Sequence, residues 1–374
     1  MPLAARTVGS KIVLGAHISA AGGVHNAVTA SVHIGGNAFA LFLKSQRKWV
    51  NPDLQDEHCT QFLSNCKEHK YDKVNHKIPP IVPHGSYLVN LAHPDPDRTK
   101  QAYDVFLDDL DRCNKLGIHL YNFHPGNAAA NESREDAIEH LAGQLNRAHK
   151  DPSSGSVVTL LETMAAGGNV LGSTFQDLAS IIDLIQQKDR VGVCLDTCHV
   201  FAAGYDLRAP EVFKATIDDF DSIIGLKYLK ALHINDSKAP IGSQRDLHAN
   251  IGTGFLGLRS FHNIVNESRL WGLPMILETP IDVKDPETKK EVPDKSIWAR
   301  EIKLLESLVG MDVESAEFKR MQVELQEKGL AERERVQDQV DRREEKKKAR
   351  STKGAKRRKG KKEESSDGES SSAE

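Results

Sequence analysis

The chain has 374 residues, 39% hydrophobic and 28% charged, with 27 Gly and 15 Pro. That composition supplies one sizeable core and excludes full disorder, a collagen-like repeat and a disulfide-dense miniprotein; no apolar run approaches the roughly 20 residues of a membrane span, so a soluble protein is expected. The net charge of −3 conceals a split: residues 346–362 carry eleven Lys or Arg, residues 363–374 carry five acids among serines, and residues 1–345 hold 39 basic and 48 acidic side chains, a net of −9. An acidic body repels phosphate unless a local basic stripe or bound cations offset it.

In chain order, short apolar, β-rich runs predict strands near 12–16, 38–43, 79–84, 118–124, 157–162, 191–196, 229–234 and 274–278. They begin about 26 to 45 residues apart, room for one helix and its loops. Between the third and fourth, Asp97 is expected to cap a helix carrying Tyr103, Phe106, Leu107, Leu110, Cys113 and Leu116 on one face and stopped by Gly117. Thr174 is expected to cap a helix with Phe175, Leu178, Ile181, Ile182 and Ile185, and Pro210 to open one with Val212, Phe213, Ile217 and Phe220. Eight such units predict a (β/α)8 TIM barrel over residues 1–310, with an open doubly wound sheet as the alternative. Residues 311–345 read as a polar helical extension docked through Phe318, Met321 and Leu325. Residues 346–374 read as a charged tail, first basic, then acidic and serine-rich, expected to be disordered.

His17, His84, His124, Glu162, Asp196, His233 and Glu278 each fall at or just past the C-terminal end of a predicted strand, the end where a barrel gathers its loops into one site. Singly, a histidine there is more often a hydrogen-bonded structural group and an aspartate a helix cap. The set is more telling. His199 follows Asp196, and Asp246 and His248 stand two apart in DLH, where an extended chain turns both the same way. With His84, His124, Glu162, His233 and Glu278 these make nine candidate ligands, five imidazoles and four carboxylates. One zinc takes three or four protein ligands, so nine imply two or three metals with at least one bridging carboxylate. The five cysteines, Cys59, Cys66, Cys113, Cys194 and Cys198, include no CxxC pair, which indicates neither a disulfide framework nor a thiolate zinc site and suits a reducing compartment.

The chain carries GAHISAAGG at 15–23, FLKSQRKW at 42–49, PHGSYLVNLAHP at 83–94, NFHPG at 122–126 and LLET at 160–163. It continues with GVCLDTCHVFAAGYD at 192–206, HINDSK at 233–238, DLHANIGTG at 246–254 and ILETP at 276–280. In these stretches it resembles the endonuclease IV family, the zinc-dependent apurinic/apyrimidinic (AP) endonucleases, in the eukaryotic, fungal-like form with a basic C-terminal extension. The resemblance implies three Zn2+: one on His84, His124 and Glu162, one on Glu162, Asp196, His233 and Glu278, and one on His199, Asp246 and His248. It implies that Glu162, Asp196 and Glu278 serve catalysis, and that the phosphodiester 5' to an abasic site is hydrolysed to a 3'-OH and a 5'-deoxyribose phosphate, with cleaning of blocked 3' ends. Two zincs sharing a water lower its pKa toward neutrality and offset phosphate charge; three would bring the body from −9 to −3.

DNA contact is expected from Arg47, Lys48, Tyr87 and Leu88. In the family the equivalents of Arg47, Tyr87 and Leu88 enter the duplex and fill the space of the extruded nucleotide; the alternative for Tyr87 and Leu88 is core packing. His17, His25 and His93 read as supporting or structural groups, and GGVHN at 22–26 as a turn. The chain departs from the family's ENTAGQG with ETMAAGG after Glu162, and has Ser45 where Asn is common.

Two rival functions remain open to sequence alone: a divalent-metal sugar isomerase, which needs fewer imidazoles, and a non-catalytic nucleic-acid-binding adaptor using the basic run. The basic tail suits a nuclear import receptor, so a nuclear monomer is expected, with no membrane partner. The acid-free residues 1–52 leave mitochondrial import as a minor expectation.

Overall fold

In the computed structural model, which describes residues 1–72, 78–129 and 133–363 and side chains through residue 346, the apolar runs form a parallel wall. The strands are β1 (Val13–His17), β2 (Ala38–Ala40), β3 (Leu120–Phe123), β4 (Val158–Glu162), β5 (Val191–Asp196), β6 (Leu229–His233), β7 (Asp236–Ser237), β8 (His248–Ala249) and β9 (Pro274–Leu277), followed by an exposed antiparallel pair, β10 (Asp282–Lys284) and β11 (Glu291–Pro293). Seven of them make one sheet in the order β2-β1-β9-β6-β5-β4-β3, while β7 and β8 form a separate antiparallel hairpin.

The strand expected at 79–84 lies between β2 and β3 as isolated parallel bridges, Phe39 with Ile81 and His84 with Asn122. Its sequence explains the reduction: Pro79, Pro80 and Pro83 have no N–H to give. Two of their carbonyls still accept, Pro80 O from Phe39 N at 3.0 Å and Pro83 O from Asn122 N at 2.9 Å. Val82 N and His84 N donate to Phe39 O and Leu41 O, both at 3.0 Å. The wall therefore closes on itself. This is the curled, barrel-like sheet expected from the sequence, and the open doubly wound alternative is set aside.

Around it lie α1 (His25–His33), α2 (Asp56–Glu68), α3 (Pro96–Lys115), α4 (Arg134–Lys150), α5 (Phe175–Leu184), α6 (Thr197–Ala203), α7 (Pro210–Ile223), α8 (Gly257–Asn266), α9 (Ser296–Ser307) and α10 (Ala316–Glu363). Asp95, not Asp97, caps α3: its carboxylate accepts from the amides of Asp97 and Arg98, with Pro96 in the first helical position. The expected stripe of α3 is buried at Tyr103, Phe106, Leu110, Cys113 and Leu116, and Gly117 ends it at φ 66°. Thr174 caps α5 as expected, accepting from Asp177 N. On α7, Phe213, Ile217 and Phe220 are buried, but Val212 is exposed because it lies about 100° around the helix from Phe213.

One large core lies between wall and helices, and Val82, Leu120, Leu160, Cys194 and Ala231 form a second cluster of wall residues alone, the filling of the barrel. On α10, Phe318 is buried, and Met321 and Leu325 pack on the core, as expected. Docking goes further along the helix than expected, since Val336 and Val340 are buried against Ala239 and half-buried Leu247. The backbone of α10 runs as helix to Glu363, and the acidic serine segment 364–374 lies outside the described residues.

Candidate metal centre

Parallel closure brings the C-terminal ends of the strands to one face, and the nine candidate ligands meet there. The ligand atoms of His84, His124 and Glu162 lie within 4.8 Å of one another, as do those of Glu162, Asp196, His233 and Glu278. Asp196, His199 and His248 form a third such group, and Cys198, Asp246 and His248 a fourth. The Glu162 carboxylate is divided between neighbours: Oε2 lies 3.1 Å from His84 Nε2 and 3.6 Å from His124 Nε2, and Oε1 lies 3.2 Å from His233 Nδ1. Asp246 stands between two imidazoles, 3.1 Å from His199 Nε2 and 3.1 Å from His248 Nε2.

These donors fit divalent cations on more than proximity. His84 Nδ1 donates to Gly85 O at 2.7 Å and His199 Nδ1 to Thr163 O at 2.8 Å, which leaves each Nε2 lone pair facing inward. The buried Nε2 atoms of His199 and His248 have no well-aligned hydrogen-bond partner, an arrangement that is costly unless an ion takes the lone pair. Glu162 and Asp196 are fully buried. Burial opposes ionisation of Glu162, yet His233 and His124 beside it hold the carboxyl well below the usual range. Glu278 is held low against burial by His233 and His17. Burial lowers His124 to about 4, so its ring is neutral near pH 7 and its lone pair free. Burial works against charge on His248 too, but Asp246 and Asp196 push it up to about 9.

A cleft of about 920 Å3 opens from this face, lined among others by His17, Gln46, Lys48, Tyr87, His248 and Glu278. Arg47 and Lys48 are exposed on the loop after β2. Tyr87 and Leu88 are 58% and 37% exposed and so lie outside the core. The Tyr87 ring stands beside two of the candidate ligands, with its centroid 5.2 Å from that of His84 and 5.4 Å from that of His124.

A family model described as a xylose isomerase-like TIM barrel matches residues 28–308. Apurinic-apyrimidinic endonuclease 1 of Schizosaccharomyces pombe is 45% identical over 84% of this chain and 87% of its own length. The crystal structure of endonuclease IV from Thermus thermophilus aligns with a TM-score of 0.64 and 29% identity, covering 79% of this chain and 98% of that one. The chain belongs to the endonuclease IV family. A D-tagatose 3-epimerase-like protein, 16% identical with a TM-score of 0.57 over 79% of this chain and 98% of that one, shares the fold alone.

Within this endonuclease IV chain several supporting groups escaped sequence reasoning. Asn122 Nδ2 donates to Glu162 Oε2 at 2.5 Å, and Asn235 Nδ2 donates to Asp196 Oδ2 at 2.6 Å while its Oδ1 accepts from Glu278 N at 2.8 Å. Both lie inside the quoted stretches NFHPG and HINDSK, close to the candidate ligands His124 and His233. Cys198, set aside with the other thiols, joins the group of Asp246 and His248. His17 supports Glu278, with Nδ1 2.9 Å from Oε1. His25 packs on His58 with ring centroids 4.6 Å apart, and His93 Nδ1 accepts from Asp95 N at 3.0 Å, so neither belongs to the cluster. The departure ETMAAGG places Ala166 at φ 61°, where the family pattern has glycine.

Proposed function

We propose that the protein binds three Zn2+ at this face and nicks duplex DNA on the 5' side of an abasic site, leaving a 3'-OH and a 5'-deoxyribose phosphate, and also cleans blocked 3' ends. As a family member the chain is a DNA-repair AP endonuclease, a metal-dependent hydrolase of phosphodiesters at abasic sites. The observation that carries the finer reading is the Glu162 carboxylate, whose two oxygens face different ligand groups. In it, His84, His124 and Glu162 hold one ion, Glu162, Asp196, His233 and Glu278 a second, and His199, Asp246 and His248 a third. When bound, the metals supply an acidified water and positive charge for the phosphate and leaving oxygen.

The remaining work falls to the chain itself. Glu162, Asp196 and Glu278 carry the negative charge that keeps the ions in register, held by Asn122, Asn235 and His17. Asp196 accepts from His199 N at 2.8 Å, tying one ligand to the backbone of another. Tyr87, Leu88 and Arg47 are suited by their exposure to enter the duplex and replace the extruded nucleotide, with Lys48 on backbone phosphate. The basic run at 346–362 is read as a nuclear import signal on a monomer acting in the nucleus, with mitochondrial import as a secondary site of action.

The test is incision of a duplex carrying one abasic site, with and without chelator and with Zn2+ returned. Chelator-sensitive nicking with the stated end groups is expected. Nicking that survives full metal removal, or interconversion of ketoses in place of nicking, would overturn the proposal.

A further inference from the structure

The hairpin of β7 and β8 presents Asp246 and His248 but stands outside the barrel wall, so something other than the wall must hold it. In the chain order Asp246, Leu247, His248 the outer two side chains face the ligand groups, and an extended chain turns the middle one the opposite way. Leu247 packs there against Val336 and Val340 of α10. About one to three turns further back α10 meets the loop that follows β8. Gln326 Nε2 donates to Gly252 O at 2.7 Å and to Gly254 O at 3.0 Å, and Arg333 Nη1 donates to Thr253 O. The helix comes so close that a Cβ at Gly329 would stand 1.9 Å from the Thr253 carbonyl oxygen. Arg333 Nη2 also bonds Gln326 O at 2.8 Å, which fixes the guanidinium on the helix itself. Opposite, Glu301 of α9 accepts from Ile251 N at 2.8 Å. The loop is thus gripped from both sides, and one grip comes from a helix beyond residue 308, where the family match ends.

We propose that residues 326–340 of α10 are positioning residues for the Asp246–His248 metal site, and that this helix is a working part of the catalytic unit. The inference rests on the assignment of Asp246 and His248 as ligands. A site whose ligands sit on a two-residue hairpin loses affinity when the hairpin moves, because the ions tolerate little displacement of their donors. Gln326, Gly329 and Arg333 belong to none of the ligand groups and meet the loop at 252–254, so their effect on the site is expected to pass through that loop and its hairpin.

The experiment uses the full chain with Gly329→Val, Arg333→Ala and Arg333→Lys, beside Asp246→Asn as reference. Metal content after timed exposure to a weak chelator is measured together with kcat and KM on an abasic duplex. Gly329→Val and Arg333→Ala should lose one metal per chain about tenfold faster or more, the range for groups that support ligands. Their kcat should fall with KM little changed, excess Zn2+ should restore it, and Arg333→Lys should recover much of the retention. Should Asp246→Asn lose one metal while Gly329→Val and Arg333→Ala, folded by thermal melting, retain all of theirs, the proposed role of α10 is wrong. If Asp246→Asn itself retains every metal, the ligand assignment beneath it is wrong instead.

Discussion

At the residue scale, Glu162, whose carboxylate oxygens face different imidazoles, is the group expected to be most sensitive to change. Glu162→Gln should keep the barrel folded, lower metal content at two sites and reduce incision by more than the about 10–100-fold that a supporting group costs; normal content and rate would show that Glu162 bridges nothing. Tyr87 and Arg47 contribute to no ligand group, so Tyr87→Ala and Arg47→Ala should keep full metal. Affinity for an abasic duplex should fall about tenfold or more for Tyr87→Ala, since a stacked aromatic contributes about 1–3 kcal/mol. Ala166 sits at φ 61°, a conformation costing an L-residue about 1–2 kcal/mol. Ala166→Gly should therefore raise the urea midpoint with an unchanged m-value. Six of the nine candidate ligands, His84, His124, Glu162, Asp196, His233 and Glu278, were legible because each stands at or just past the C-terminal end of an apolar run, and His199, Asp246 and His248 because they stand close to Asp196 or to each other in the chain. Asn122 and Asn235 were not, because a neutral amide beside a stronger candidate leaves no pattern in charge or period, and its function exists only once the chain has closed.

At the element scale, apolar runs located the strands of the wall to within a few residues but not the short β7 and β8, and even the proline-rich 79–84 was legible as wall by its position and apolar character. The sequence was silent on how a strand with three prolines would bond, which depends on neighbours distant in the chain. The cap of α3 moved from Asp97 to Asp95 because a proline between them takes the first helical position and leaves the earlier aspartate in an extended conformation. Val336 and Val340 were hidden in a charged segment: two valines four apart make a stripe only if a partner surface is known. Helix α4 ends near a buried imidazole, His149, whose Nε2 bonds Thr159 Oγ1 of β4 at 2.9 Å. Burial, then Arg190, lowers it from 6.5 to about 4. A histidine that resists protonation when folded contributes stability that is complete above pH 6.5 and lost as the pH falls toward about 4. The loss is on the order of 3 kcal/mol. Denaturant unfolding of the metal-free protein between those pH values should show the decline, and His149→Gln should flatten it; an identical slope in both proteins would mean that the ring is charged when folded.

At the scale of the whole molecule, barrel and polar extension followed from spacing and composition, and so did their contact through Phe318, Met321 and Leu325, whereas the contact through Val336 and Val340 did not. The last buried residue described on α10 is Val340, before the basic run begins at 346. Deleting 346–374 should therefore leave the single-turnover incision rate at saturating DNA unchanged. It should also flatten the salt dependence of non-specific binding, since about 0.9 counterion is released per duplex phosphate contact, and lower nuclear accumulation of a fluorescent fusion. A large fall in the saturated rate would place those residues in catalysis. The closure of the wall has a further consequence for spectroscopy. Pro79, Pro80 and Pro83 have no amide proton, so half of that segment is silent in hydrogen exchange and in amide-detected magnetic resonance. Its joining to β2 and β3 is reported by the amides of Phe39, Val82, His84, Gly85 and Asn122, which donate across the two seams. If the barrel opens at this place as one cooperative event, those five protons exchange at a common rate, and they time the breathing of the wall directly beneath Tyr87.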